Sequence, residues 1–234
     1  MLFRDCPSPN HNPRPPGTAV DMLVLHYTGM RTAGEAIDRL CDPAAKVSAH
    51  YVIDEDGTVW RLVAESERAW HAGVSFWQGT TDVNAHSIGI ELVNPGHEWG
   101  YRGFPEPQMA ALETLARGIL DRHEIPADRV VGHSDVAPER KQDPGELMDW
   151  RRLARAGIGL WPGEGTPPPD LAAAQAMLSA IGYRISVSGA VDEQTRLVLT
   201  AFQRRFRPRS LDGVLDAETG GLIAGLAALR ARRG

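Results

Sequence analysis

Cysteine is nearly absent from this chain: Cys6 and Cys41 are the only two among 234 residues. One possible pair makes no disulfide framework, and neither thiol stands in a CxxC-type metal spacing. Two such thiols are compatible with a reducing compartment. Long apolar runs are missing too. No stretch of about 18 apolar residues occurs, which excludes a membrane-spanning helix. The start, MLFRDCPSPNHNPRPPGTAV, has no apolar h-region and no small-residue cleavage site, and no hydrophobic stretch precedes Cys6. A cytoplasmic protein is the expectation, or a periplasmic one should the true N-terminus differ. Clustered positive charge is lacking from the front of the chain. Residues 1–169 carry 16 Lys and Arg against 24 Asp and Glu, so a nucleic-acid enzyme is not expected, because phosphate binding needs clustered cations.

What is present is ordinarily globular: 42% hydrophobic and 24% charged residues, with six Trp, enough to bury a sizeable core. The length suits one enzyme domain plus a small module. Residues 170–234 reverse the charge balance, with nine basic against six acidic residues. The run Arg204, Arg205, Arg207 and Arg209 reads first as a solvated face, with contact to an anionic polymer as the other reading.

The Pro-rich first twenty residues predict an extended arm without regular structure. MLVLHY, from Met22 to Tyr27, predicts a buried strand ending at a Thr28-Gly29 turn, followed by a helix from about Thr32 to Cys41. HYVID and TVWRLV flank Glu55-Asp56-Gly57, a turn chemistry that favours a hairpin, and SIGIELV (87–93) predicts another strand. A helix is expected over 106–123 with Leu112, Leu115, Ile119 and Leu120 on one face, then a short strand at Val130-Val131, then a helix from near Glu146. Strands mixed with helices predict an α/β domain with a mixed central sheet flanked by helices, spanning residues 1–162.

GEGTPPP (163–169) reads as a linker crossed by few contacts; all six Trp precede it. Beyond it, Gly189-Ala-Val-Asp-Glu-Gln-Thr195 is repeated as Gly213-Val-Leu-Asp-Ala-Glu-Thr219, each copy a glycine turn before an Asp able to cap a helix. Helices over about 170–181, 192–206 and 216–230 would make residues 170–234 a small all-α three-helix C-terminal domain.

The residues with chemical potential sit at strand ends or beside acids. His26 closes the first predicted strand, His133 follows a short one, and Asp143 lies ten residues further on. Two His and one carboxylate are a set zinc accepts while leaving a fourth position for water, although a strand-end His is ordinarily a core or surface residue. Glu91 lies inside an apolar strand, where an ionised carboxylate is costly to bury without a partner. It either pairs with a cation or faces a polar site as a general base. Lys141 and Asp143, two apart, would project to one side of an extended stretch, as a surface ion pair or as a cation beside a metal ligand.

The segments LVLHYTG (23–29), SAHYVIDEDGTVWRLV (48–63), AWHAGVSFWQG (69–79), NAHSIGIEL (84–92), VVGHSDVAPERKQDPG (130–145) and DWRRLA (149–154) together resemble the N-acetylmuramoyl-L-alanine amidase type 2 family. That fold is shared with peptidoglycan recognition proteins and the phage T7 lysozyme. The resemblance spans about 130 residues in the family's order. It implies a zinc hydrolase cutting the amide between N-acetylmuramic acid and L-alanine in peptidoglycan or muropeptides, with His26, His133 and Asp143 as metal ligands. Asp143 stands where phage-type members use Cys, so this chain looks like the bacterial branch. Glu91 matches the catalytic glutamate and Lys141 the lysine near the metal. Trp70 and His71 are implied as cleft-lining residues, Asn94 as a further cleft candidate, and His50 as a core or supporting residue. The tail, with LAAAQAMLSAIGY, GAVDEQTRLVLTAFQRRF and DGVLDAETGGLI, resembles a peptidoglycan-binding three-helix module. SGAVDEQT lacks a turn glycine usual in that pattern, so no glycan-binding residues are assigned there. A monomer is expected. A prophage endolysin of the same chemistry and a non-catalytic muropeptide-recognition protein are the alternatives; the latter usually loses a metal ligand, and all three are kept here.

Overall fold

The computed structural model describes residues 2–232. Its elements in chain order are β1 (Phe3–Asp5), β2 (His11–Pro13), β3 (Met22–Tyr27), α1 (Ala33–Cys41), β4 (Tyr51–Ile53), β5 (Val59–Arg61), β6 (Glu67–Ala69), α2 (Val83–His86), β7 (Ser87–Leu92), α3 (Gly96–Trp99), α4 (Glu106–His123), β8 (Val130–Gly132), α5 (His133–Val136), α6 (Trp150–Arg155), α7 (Leu171–Ile181), α8 (Glu193–Phe206) and α9 (Ala217–Ala231). Six strands form a mixed sheet in the order β1-β5-β4-β7-β3-β8, and β2 pairs with β6 in a separate antiparallel ribbon. Among the described residues, no helix is long and apolar enough to cross a membrane.

The two central strands are apolar on both faces because both faces are covered. Leu23 and Leu25 of β3, with Ile88, Ile90 and Leu92 of β7, pack against Leu112, Leu115 and Ile119 of α4 and Leu153 of α6. Met22 and Val24 point the other way, into a second core with Trp77, Val131 and the helical module's Leu178, Ile181, Phe202 and Ile223. Each such side chain, fully buried, contributes roughly 1.5–3 kcal/mol of transfer free energy.

The predicted hairpin is present: β4 and β5 pair antiparallel around Gly57, whose φ of +85° suits glycine, and whose added Cβ would meet the Pro107 carbonyl oxygen at 2.7 Å. Helices α1, α7, α8 and α9 start where capping predicts. Thr32, Asp170, Asp192 and Asp216 each accept from the backbone N–H three residues on.

Four expectations are corrected. The N-terminal arm is extended but carries regular elements: it supplies β1 and β2, and Asn10 donates to the Leu40, Asp42 and Val47 carbonyls. The helix expected from Glu146 starts only at Trp150, capped by Asp149. Before it, the Tyr101 hydroxyl donates to the Pro144 carbonyl and accepts from Leu147 N–H, holding 144–147 as a turn. The linker does not separate two bodies. Gly165 N–H donates to the Gly221 carbonyl at 3.0 Å, and a Cβ on Gly225 would strike the Gly163 carbonyl, so the strap lies on the glycine-bearing face of α9 above a core shared by both parts. Finally, three of the four arginines of the basic run are not solvated; only Arg209 is exposed. Arg204, Arg205 and Arg207 are buried, with Arg207 held between Asp212 and Asp216 at 3.0 and 3.1 Å.

Candidate metal centre and its cleft

Parallel pairing of β3 with β7 sets His26 opposite Glu91. Since alternate residues share a face, His26 continues the Met22–Val24 face, and Glu91 and Gly89 stand on that same face of β7. Both strands end here, and Glu91 opens into a cleft of about 380 Å³ lined also by His71, His133, Lys141 and Asp143 among others, while His26 is itself buried. On the far side of β3, β8 delivers His133 at the first position of α5. Ser134 N–H donates to the Asp143 carbonyl at 2.9 Å, which holds the Asp143 segment against the His133 turn.

Three atoms converge. His26 Nδ1 lies 2.9 Å from His133 Nδ1, and each lies 3.0 Å from Asp143 Oδ2. All three residues are buried.

The hydrogen bonds behind them fix the ring protons. Ser87 Oγ–H donates to the Val83 carbonyl at 2.6 Å, so toward His71 Nε2, 3.2 Å away, it accepts. His71 therefore carries its proton on Nε2 and offers Nδ1 as acceptor to His26 Nε2–H at 3.1 Å. His26 is left with a bare Nδ1. His133 Nε2–H donates to the Ala72 carbonyl at 3.1 Å, which bares its Nδ1 in the neutral ring.

Burial, and next the neighbouring His133, lowers the pKa of His26 to about 4, keeping that ring neutral. Burial opposes ionisation of the Asp143 carboxyl, but the charge and hydrogen bonds that His133 and His26 supply when their Nδ1 atoms carry protons outweigh it and hold the group well below its ordinary range. Two bare lone pairs and a carboxylate oxygen about 3 Å apart repel unless a cation sits among them. Two imidazoles with a carboxylate, each imidazole donating its outer N–H inward to the protein, form a donor set that fits a divalent metal ion.

Glu91 stands beside this triad. Its Oε2 is shielded from solvent and has no hydrogen-bond partner. Burial chiefly, then the Asp143 carboxylate, holds its pKa well above the ordinary carboxylate value, against the Lys141 ammonium. Of the two readings of Glu91, the polar-site one agrees with this geometry; no Arg or Lys pairs with it among the described residues.

Trp70 lines the cleft half-buried, its indole N–H donating to Asn12 at 2.7 Å. His71 touches the cleft but is buried, with both ring nitrogens engaged by Ser87 and His26. Asn94 is buried and committed to local structure: its amide donates to the Arg102 carbonyl and its oxygen accepts from Gly96 N–H. His50 is a core residue, accepting from Gly89 N–H at 2.9 Å. Arg140, not singled out from the sequence, holds the 72–74 loop through the Ala72 and Val74 carbonyls. Gly89 also escaped notice, and the only sign of it was a glycine inside an otherwise apolar strand.

Comparison with known proteins agrees with this geometry. Residues 16–146 match the family model described as N-acetylmuramoyl-L-alanine amidase, and residues 167–222 one described as a putative peptidoglycan binding domain. The chain is 37% identical over 223 residues to N-acetylmuramoyl-L-alanine amidase AmiD of Escherichia coli, covering 86% of this chain and 79% of that protein. The solved complex of AmiD with anhydro-N-acetylmuramic acid-L-Ala-D-gamma-Glu-L-Lys superposes with a TM-score of 0.80 at 35% identity over 92% of each chain. AMPDH3 of Pseudomonas aeruginosa, solved with an anhydromuramic pentapeptide, superposes with a TM-score of 0.82 at 35% identity over 92% of this chain and 94% of that one. On sequence, fold and site together, the chain belongs to the N-acetylmuramoyl-L-alanine amidase family.

Proposed function

We propose that this protein hydrolyses the amide between the lactyl group of N-acetylmuramic acid and L-alanine in peptidoglycan fragments, using zinc held by His26, His133 and Asp143. The observation that carries the reading is the convergence of two imidazole nitrogens and a carboxylate oxygen, all buried, beside Glu91, whose Oε2 has no hydrogen-bond partner. A zinc ion there would supply Lewis-acid activation of water and carbonyl at neutral pH.

The protein's own groups do the rest. Glu91, opposite His26 in the register, takes the proton of the attacking water and returns it to the departing alanine nitrogen; a carboxylate raised from its ordinary range suits both transfers. Lys141, on the same cleft wall, places its ammonium near the carbonyl oxygen as negative charge develops there. Trp70 offers its indole face to the substrate. The muropeptide ligands named for the solved relatives support small anhydro fragments as substrates.

Mass spectrometry of products from a disaccharide-tetrapeptide, in anhydro and reducing forms, with and without chelator, tests this. Free tetrapeptide released only without chelator is expected. Cleavage at any other bond, or turnover indifferent to chelator, would refute it.

A further inference from the structure

The helical module meets the metal site through one buried carboxylate. Asp135 lies in α5, two residues beyond His133, and is 1% exposed. Its Oδ2 accepts from Gly132 N–H at 2.8 Å, which closes the turn that begins at His133. The same oxygen accepts from Arg205 Nη1 at 2.8 Å, and Oδ1 accepts from the Tyr183 hydroxyl at 2.7 Å. Tyr183 follows α7 and Arg205 belongs to α8, so two of the three donors come from the C-terminal part of the chain. Arg205 reaches further: Nη2 donates to the Val130 carbonyl of β8 at 3.0 Å, and its guanidinium lies 4.0 Å from the Trp150 ring centre. The residue before His133 is closely packed: a Cβ on Gly132 would lie 2.8 Å from Pro144, next to Asp143, 3.3 Å from Trp150 and 3.6 Å from Asp135.

We infer that the helical module is a working part of the metal centre, with Tyr183 and Arg205 as positioning residues. By clamping Asp135 they fix the turn that aims His133 Nδ1 and, through Ser134, the segment bearing Asp143. A buried carboxylate deprived of its cation and hydroxyl would draw water or turn toward solvent, and the His133 turn would move with it. A module that merely tethered the enzyme to the wall would need no hydrogen bond to a residue two positions from a ligand. The inference rests on the zinc reading above.

The test uses the full chain and reads zinc affinity by chelator competition beside thermal melting. Tyr183→Phe removes one hydroxyl and is expected to raise the zinc dissociation constant roughly 10-fold, the lower end for groups that orient a ligand. Arg205→Met is expected to raise it further, and if that variant does not fold, Tyr183→Phe decides alone. Ile223→Ala, in the shared core but not among the residues lining the small cavity beside Tyr183 and Arg205, is the control: it should lower the melting temperature and leave zinc affinity as in the parent. Affinity unchanged in Tyr183→Phe, or weakened equally in Ile223→Ala, overturns the inference. A parent chain that binds no zinc overturns instead the metal reading beneath it.

Discussion

Replacing Gly89 by Ala adds one methyl group to β7, touching none of the three donor residues, yet it should weaken the metal site. The new Cβ would lie 2.5, 2.6 and 2.7 Å from Cγ, Cδ2 and Nδ1 of His71, where carbon contacts settle at about 3.5–4.0 Å. The ring must therefore shift by roughly 1 Å. It has nowhere to go without loss: Ser87 holds its Nε2, and Asn84 Oδ1 holds the backbone N–H of His71 and of Ala72. The shift takes away the acceptor for His26 Nε2–H, and with it the bond that bares Nδ1. Overpacking of this kind costs about 1–3 kcal/mol of stability, and loss of an outer-shell partner about 10–100-fold in metal affinity. Chelator competition and thermal melting on the purified variant measure the two effects separately. The double variant Gly89→Ala/His71→Ala should recover stability, because the clash is gone, but not affinity. If Gly89→Ala binds metal like the parent while melting lower, or if His71→Ala alone binds like the parent, the proton assignment through His71 is wrong.

Glu91→Gln should retain metal and KM while kcat falls by about 10²–10⁴-fold, the usual worth of a general base; steady-state kinetics with metal analysis checks this, and undiminished turnover would remove Glu91 from the reaction. The metal-free chain should weaken in mild acid. His26, His50 and His71 are kept neutral by burial, His26 to about 4 and His50 to about 3. Between pH 6.5 and 4.5 the unfolded chain therefore binds protons that the folded one refuses. Glu91, raised well above its ordinary value, acts in the opposite sense. Three imidazoles less one carboxyl give a loss that grows from under about 1 kcal/mol per pH unit near pH 6.5 to about 3 near pH 4.5. Urea denaturation at pH 6.5, 5.5 and 4.5 tests the sign, and a flat or inverted profile contradicts the buried-neutral assignment. Truncation after Pro162 should yield a poorly folded chain, because it strips the cover from Met22, Val24, Trp77 and Val131; circular dichroism and melting decide, and a cooperative melt at the parent temperature would show that the shared core contributes little.

Much of the fold was legible because its signals are local. Apolar strands, the Asp-Gly hairpin and Asp caps are written in adjacent residues, and α4 and the three C-terminal helices fall within a residue of their expected bounds. The candidate site was read in another way. Spacing left His26, His133 and Asp143 ambiguous, and the family resemblance selected them; the structure then shows the strand register that sets His26 beside Glu91.

What escaped depends on contacts distant in the chain. Strands β1 and β2 are three residues each and lack apolar alternation; β1 is held by pairing with β5, and Asn10 and Arg14, either side of β2, donate to distant carbonyls. Arg205 reads as surface charge until Asp135, 70 residues away, is seen to meet it. His71 belongs to a recognisable motif, but its hydrogen bonds to Ser87 and His26 fix a ring tautomer, which no pattern of residues expresses.

The most direct test titrates zinc into chelator-stripped protein while following tetrapeptide release from an anhydro-muropeptide. Activity should climb in proportion to added zinc and break sharply at one ion per chain, and Asp143→Ala should show neither the climb nor the break. Full turnover in the stripped protein, or restoration without a stoichiometric break, would contradict a single metal centre built from His26, His133 and Asp143.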